Sequence, residues 1–256
     1  MPKVQVKPLQ VSTQIGPDCR LVMADSITAL EQVAWHSVDL ILTDPPYGIS
    51  HNTNYREVRE TPDQIHGDES VEVLAAALPI LSGKLKSSGA MYCFCSPKNV
   101  DLVLTLFRQS SLIVKNLLVW CKNDWGAGDL RGAYGGSYEL IIYAVKSNEH
   151  KLRRRMADIL YATLVQGRVS LHPHQKPEKL LRKLIRNSSD SGDLVIDPFL
   201  GSGSTGAAAM RLGRRFWGSE IDKTYYQTSV TRLEKMYQGL GQDIKKPTPI
   251  AGGREI

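Results

Sequence analysis

The sequence predicts an α/β fold, a mostly parallel sheet with helices on both faces. Three observations lead there. Short apolar runs alternate with amphipathic segments along most of the chain, the order expected when each strand is followed by a covering helix. The 256 residues are enough to bury a core on both sides of a sheet. Two of the apolar runs, "LILTDPPYG" and "LVIDPFLGSGSTG", end in one local grammar: an apolar strand, then Asp-Pro, then an aromatic and a glycine. Two such strand ends in one sheet would open onto the same edge, where open α/β sheets bind ligands.

Taken in order, "RLVMADS" and "SVDLILTDPP" read as strands. "VEVLAAALPILSGKLK" has helical spacing and is expected to end near Ser87, Ser88 and Gly89. "GAMYCFCSP" is a strand, "KNVDLVLTLFRQS" a helix and "LIVKNLLVWCK" a strand. "NDWGAGDLRGAYGGS" is rich in Gly, Asp and Asn and reads as a loop or hairpin connection. "YELIIYAVK" returns to a strand, and "SNEHKLRRRMADILYATLVQGRVSLHPHQ" breaks the rhythm with a basic run. "KPEKLLRKLIRNSS" is a helix with Pro177 suited to its first turn. "DLVIDPF" is a strand, "STGAAAMRLG" a helix closed by Gly213, "RRFWGSEID" a strand and "YYQTSVTRLEKMYQGL" the last helix. The whole, residues 1–256, reads as one domain with insertions at 50–68 and 123–171 and a loose tail over 239–256.

Composition narrows the function classes. The net charge of +6 fits a polyanion such as nucleic acid, although solvated Lys and Arg alone could give it. The four cysteines, Cys19, Cys93, Cys95 and Cys121, follow no zinc spacing, and scattered cysteines suggest a reducing compartment. Neither a signal-peptide core nor a membrane-length apolar run is present in the sequence, so a cytoplasmic protein with no membrane partner is expected. No metal is expected: His172 and His174 have no surrounding ligand set.

Gly201, Gly203 and Gly206 form G-x-G-x-x-G between a strand and a helix, where glycines allow a tight turn and the helix N-terminus offers free N–H groups. Glu220 ends the next strand, about 20 residues on, the place for an acid that accepts bonds from ribose hydroxyls. A tight turn without ligand is the plainer alternative. NAD and S-adenosylmethionine (SAM) both remain open from these residues, since both carry an adenosine ribose.

In the first motif, proline as a strand terminator explains one of the two prolines. A site for a planar amine explains more. Asp44 could accept one N–H of an exocyclic amino group and the Pro45 carbonyl the other, with Pro46 fixing the turn and Tyr47 stacking on the ring. Such acceptors would draw the nitrogen lone pair out of conjugation and aim it at an electrophile.

With "DPPY", "HPHQKP" and "DPFLGSGSTG" in that order, the chain resembles the amino-methylating DNA methyltransferases, which act on adenine N6 or cytosine N4, and within them the permuted β group. The resemblance covers about residues 20–237. It implies a Rossmann-like SAM-dependent methyltransferase fold with a seven-stranded sheet, SAM as cofactor, and double-stranded DNA as substrate. It makes Asp44, Pro45, Pro46 and Tyr47 the catalytic set, with the base flipped out and attacking directly, without a cysteine intermediate. Around the cofactor it implies Asp197, Phe199, Gly201, Ser202, Gly203 and Thr205 at the methionine part and Glu220 at the ribose. His172, Gln175 and Lys176 follow the family pattern, with Lys176 near the SAM carboxylate or, alternatively, only part of a helix cap. His174 stands where the family usually has Thr. Asp25 is placed near the adenine or, equally, as a helix N-cap. The Asp-Pro-Pro-Tyr form leans to adenine N6, with cytosine N4 the alternative; an NAD-dependent oxidoreductase would leave "DPPY" and "HPHQKP" unexplained.

DNA contacts are expected in the insertions. Arg153, Arg154 and Arg155, with Lys151 and Arg168, suit phosphates, or else a solvated basic face. The loop after the catalytic motif, with Tyr55 and Arg56, suits closure over a flipped base, or is merely mobile. Neither insertion is large, so target recognition is expected to be short or shared with a second subunit in a homodimer.

Overall fold

The computed structural model describes residues 11–46, 71–122, 132, 134–163 and 175–243. Among them no helix is long and apolar enough to cross a membrane.

The strands are β1 (Val11–Ile15), β2 (Cys19–Met23), β3 (Val38–Thr43), β4 (Leu85–Cys95), β5 (Ile113–Cys121), β6 (Tyr138–Val145), β7 (Ile159–Tyr161), β8 (Leu194–Asp197) and β9 (Arg215–Glu220). The helices are α1 (Ser26–Leu30), α2 (Glu72–Lys84), α3 (Val100–Gln109), α4 (Glu178–Ser188), α5 (Ser204–Arg211) and α6 (Lys223–Asp243). All nine strands form one sheet in the order β1-β2-β9-β8-β3-β4-β6-β5-β7. β2, β9, β8, β3 and β4 run parallel, β6 is antiparallel to both β4 and β5, and β1 is antiparallel to β2.

The expected α/β architecture is present, with nine strands among the described residues where the family resemblance implies seven. Setting aside the two edges leaves seven. One edge is β1, which turns into β2 through Gly16 at φ +60° and buries only Ile15. The other is β7, three residues long, paired with β5 inside the basic segment. Neither edge carries the apolar run that marks a strand buried on both faces, so neither is visible as periodicity.

Side chains alternate between two cores. Ala90, Tyr92 and Phe94 of β4 face α4, α5 and α6, whereas Met91, Cys93 and Cys95 face α1, α2 and α3. The cause is topological. β3–α2–β4 steps one way along the sheet from the β3/β8 boundary, and β8–α5–β9 steps the other way. Right-handed crossovers of opposite direction put their helices on opposite faces, and the crevice where the direction reverses is the ligand site of such folds.

Two boundaries differ from the sequence expectation. α2 stops at Lys84, and the chain enters β4 at Leu85, which pairs with Val38. "KSSG" therefore lies within the span of β4, in the irregular stretch between the Val38–Leu85 and Leu40–Ala90 pairs. α6 continues to Asp243 through the start of the expected loose tail. An isolated glycine costs a helix only about 1 kcal/mol, less than a breaker such as proline.

The third glycine of the motif does packing work. A Cβ on Gly206 would lie 2.8 Å from both Leu233 of α6 and Phe216 of β9, so α5 can approach the sheet only with hydrogen at that position. Gly239, on α6, would meet nothing within 4 Å. Gly206→Val should therefore destabilise the protein by about 1–3 kcal/mol, and Gly239→Ala should stabilise it by about 0.5–1 kcal/mol. Urea unfolding midpoints check both signs.

Candidate active site

The two Asp-Pro strand ends are neighbours. β3 and β8 pair in parallel, Leu40 with Val195 and Ile41 with Ile196, so Asp44 and Asp197 emerge at the same edge. The Thr43 hydroxyl donates to Asp197 Oδ1 at 2.7 Å and joins the two ends directly. Asp197 is buried and is also bound by the Phe199 N–H at 3.1 Å and by the Thr205 side chain. Burial pushes its carboxyl up to about 7, and these hydrogen bonds oppose the rise without cancelling it.

Behind Asp197 the chain makes the glycine turn. Gly201 and Gly203 have φ of +51° and +76°, a region open to glycine at little cost. The Gly201 N–H donates to Glu220 Oε2 at 2.8 Å, and the Asp222 N–H donates to Oε1 at 2.9 Å. Glu220 thus anchors the turn to the end of β9, and burial raises its carboxyl above the usual range. A carboxylate has about four acceptor positions, so this anchoring leaves it capacity to accept from a ligand. Arg232 of α6 closes the turn from behind, donating to the Ser202 carbonyl and the Ser204 hydroxyl at 3.2 and 3.0 Å. Asp25 caps α1 by accepting from the Thr28 N–H at 3.0 Å, next to the residue whose N–H bonds the Glu220 carbonyl.

On the other side of Asp44 lies a chain of charges. Lys176, immediately before the α4 cap residue Pro177, places its ammonium 2.6 Å from Asp44 Oδ2 and 3.0 Å from Glu139 Oε2. Glu139, near the start of β6, also meets Lys122 at 2.7 Å through Oε1. The rings of Phe94 and Trp120 lie 5.0 and 6.0 Å from the Lys176 ammonium. Only 8% of the Lys176 side chain is exposed, yet it stays charged: burial works to lower it, and the two carboxylates outweigh burial. Burial likewise works to raise Glu139, and Lys176 with Lys122 hold it below the usual carboxylate range. The nearby thiol of Cys95 is pushed up to about 12 by burial and then by Asp44 and Glu139, so no thiolate nucleophile stands beside Asp44.

A family model described as DNA methylase matches residues 38–231, most of the chain and both Asp-Pro strand ends. The chain belongs to the N6/N4 DNA methylase family. Among its relatives, DNA adenine methyltransferase YhdJ of Escherichia coli (strain K12) is 28% identical, with 91% of this chain and 89% of that protein aligned. The type II methyltransferase M2.DpnII of Streptococcus pneumoniae is 30% identical, with 84% and 89% aligned. Among solved structures, the M1.HpyAVI–SAM complex superposes with a TM-score of 0.67 at 26% identity, over 84% of this chain and 98% of that one. The cytosine-N4-specific PvuII DNA methyltransferase superposes with a TM-score of 0.67 at 17% identity, over 86% and 92%, which speaks to the fold.

In this methylase the structure brings Asp44, Pro45 and Pro46 together with Lys176, and Asp197, Phe199, Gly201, Ser202, Gly203, Thr205 and Glu220 around the adjoining turn. Tyr47, Tyr55, Arg56, Arg168 and His172 lie outside the described residues. The arginine run is elsewhere. Arg153 forms an ion pair with Asp190, and its N–H bonds the Asn187 carbonyl, while the Arg154 N–H bonds the Asn187 side chain. Asp190 precedes the start of β8, whereas Asp197 ends it, so the run sits at the opposite edge of the sheet. Arg153, Arg154 and Arg155 are all exposed there, with 47% of the Arg153 side chain open beside its Asp190 partner.

Glu139, Lys122, Thr43 and Arg232 are the site residues that motif reading misses. Glu139 alone left a trace, an acid at the head of the apolar run "YELIIYAV". Its meaning depends on β6 running antiparallel, which puts the beginning of that strand at the edge where the parallel strands end.

The raised Asp197 carboxyl sets a pH dependence. The unfolded chain loses this proton near the ordinary 3.8 and the folded chain at about 7, so in between the folded state holds the extra proton. Its contribution to stability accordingly falls as pH rises through that window and is constant above it. Asp197→Asn removes the titration, so the melting temperature of the variant relative to the native protein should climb from pH 4 to pH 7 and then level off. A difference independent of pH would contradict this account.

Proposed function

We propose that this DNA methylase transfers a methyl group from SAM to the exocyclic N6 of adenine in double-stranded DNA. The observation that carries the reading is the juxtaposition of the Asp44-Pro45-Pro46 strand end with the glycine turn that follows Asp197, on neighbouring parallel strands. The turn fits SAM by its chemistry: two left-handed glycines, the N-terminus of α5, and the carboxylate of Glu220 placed for ribose hydroxyls. Thr205 and Phe199 hold Asp197 beside it. SAM, when bound, supplies a methyl group on a sulfonium.

The chain's own residues do the rest. Asp44 accepts one N–H of the target amine and the Pro45 carbonyl accepts the other, which pulls the nitrogen lone pair out of the ring system. Tyr47 stacks on the base. Asp44 needs no strong basicity, because the nitrogen gives up its proton only once it has become positively charged. Adenine is favoured over cytosine by the Asp-Pro-Pro-Tyr form and by the adenine-specific relative YhdJ. Tyr55 and Arg56 belong to this proposal as contacts to the flipped base and its strand, and target recognition shared with a second copy of the chain is part of it.

DNA incubated with the protein and SAM should yield N6-methyladenine on nucleoside mass spectrometry; N4-methylcytosine in its place would move the assignment to cytosine. Asp44→Ala should lower transfer by about a hundredfold or more while SAM binding persists. Glu220→Ala should weaken SAM binding, measured by calorimetry; unchanged affinity would place the ribose elsewhere.

A further inference from the structure

Buried ion pairs seldom stabilise a fold more than well-packed apolar residues would. Four charged side chains of alternating sign, Asp44, Lys176, Glu139 and Lys122, nevertheless line up at the catalytic edge. They come from four separate places in the chain: the end of β3, the entry to α4, the start of β6 and the residue after β5. The rings of Phe94 and Trp120 flank the central ammonium.

The proposed chemistry gives this arrangement a purpose. Lys176 holds one oxygen of Asp44 and so fixes the orientation of the acceptor. Its charge is also a liability, because the target nitrogen becomes positive as it is methylated and a bare ammonium nearby would oppose that. A carboxylate on the far side of Lys176 offsets the liability without loosening the grip. We propose that Glu139 is a positioning residue for methyl transfer, one that balances the Lys176 ammonium so that it can orient Asp44 without opposing the developing charge on the amine. The inference rests on the methyl-transfer reading above and assigns Lys176 to the acceptor carboxylate, where motif reading placed it near the SAM carboxylate.

Among the described residues, the charged and aromatic groups that face Lys176 are Asp44 from β3, Glu139 from β6 with Lys122 beyond it, and the two rings; the Cys95 thiol of β4, near Asp44 and Glu139, stays protonated through neutral pH. Removing the charge of Glu139 leaves a buried lysine with Asp44 as its carboxylate partner among these groups. Burial then weighs more heavily, and the ammonium loses its proton at lower pH.

The test is steady-state methylation of DNA with SAM, with the native protein measured first. Absence of transfer by the native protein would overturn the methyl-transfer reading itself; with transfer established, the outcome concerns Glu139. Glu139→Gln should lower kcat by about tenfold or more, with the Kd for SAM and the KM for DNA changed by less than about twofold. Its rate should fall at alkaline pH where the native rate still holds, as Lys176 gives up its proton and with it the grip on Asp44. Glu139→Asp, which keeps the charge, should recover most of kcat and the flat profile. In a Lys176→Gln background, Glu139→Gln should add no further loss, because its effect passes through Lys176. Native kcat in Glu139→Gln, a native pH profile in that variant, or a loss confined to SAM affinity would each overturn the inference. Should Glu139→Gln fail to fold, a falling alkaline limb in Glu139→Asp overturns it as well.

Discussion

Two residue pairs, Leu40 with Val195 and Ile41 with Ile196, join β3 to β8, and the rest of the site follows from them. They set segments more than 150 positions apart side by side and in the same direction. Because the strands are parallel and in register, both Asp-Pro ends reach one edge, and the Thr43 hydroxyl can span the gap to Asp197. A slip of one residue would invert every side chain on β8. That slip is resisted from both faces, since Val195 belongs to one core and Ile196 to the other. Specifying the register is thus the work of apolar burial, and the chemistry at the edge inherits its precision.

The edge itself is governed by electrostatics in a partly dry environment. Asp197 and Glu220 are pushed towards their neutral forms by burial, whereas Glu139 is held ionised by two ammoniums. Carboxylates with different jobs therefore have different surroundings. The acids of the glycine turn are bound by hydroxyls and backbone N–H groups, and those on the Asp44 side are paired with lysines. Removing one member of the second set would strand a buried charge, a costlier fault than removing a neutral hydrogen bond. The glycine turn is protected differently, by Arg232 behind it and by the close approach of α5 to β9 that Gly206 permits.

Most of the fold was legible because buried strands and amphipathic helices have distinct periods, and those periods run unbroken through β2–β6 and α2–α6. What escaped was short or exposed. β1 and β7 bury too little apolar surface to leave a pattern, and α1 is a single capped turn and a half announced only by Asp25. The end of α2 was misplaced because "KSSG" has turn composition, and only the pairing of Leu85 and Ala90 on either side of it with β3 draws it into β4. The arginine run at 153–155 shows a related limit: a run of charge shows what it could attract, but not which edge of the sheet it occupies or that Asp190 stands beside Arg153.

Sequence alone determined the pieces whose meaning is local: the Asp-Pro-Pro strand end, the glycine turn with its acid on the next strand, the capping role open to Asp25, and hence membership of the DNA methylase family. Those features depend on φ angles, turn geometry and short spacings, which neighbouring residues dictate. Only the tertiary structure decided that Lys176 reaches Asp44, that Glu139 stands on its far side, and that Lys122 completes the chain. Each of those contacts depends on strand direction and order in the sheet. The antiparallel course of β6 carries an acid from the head of one strand to the edge where the others end, and no local pattern encodes that reversal.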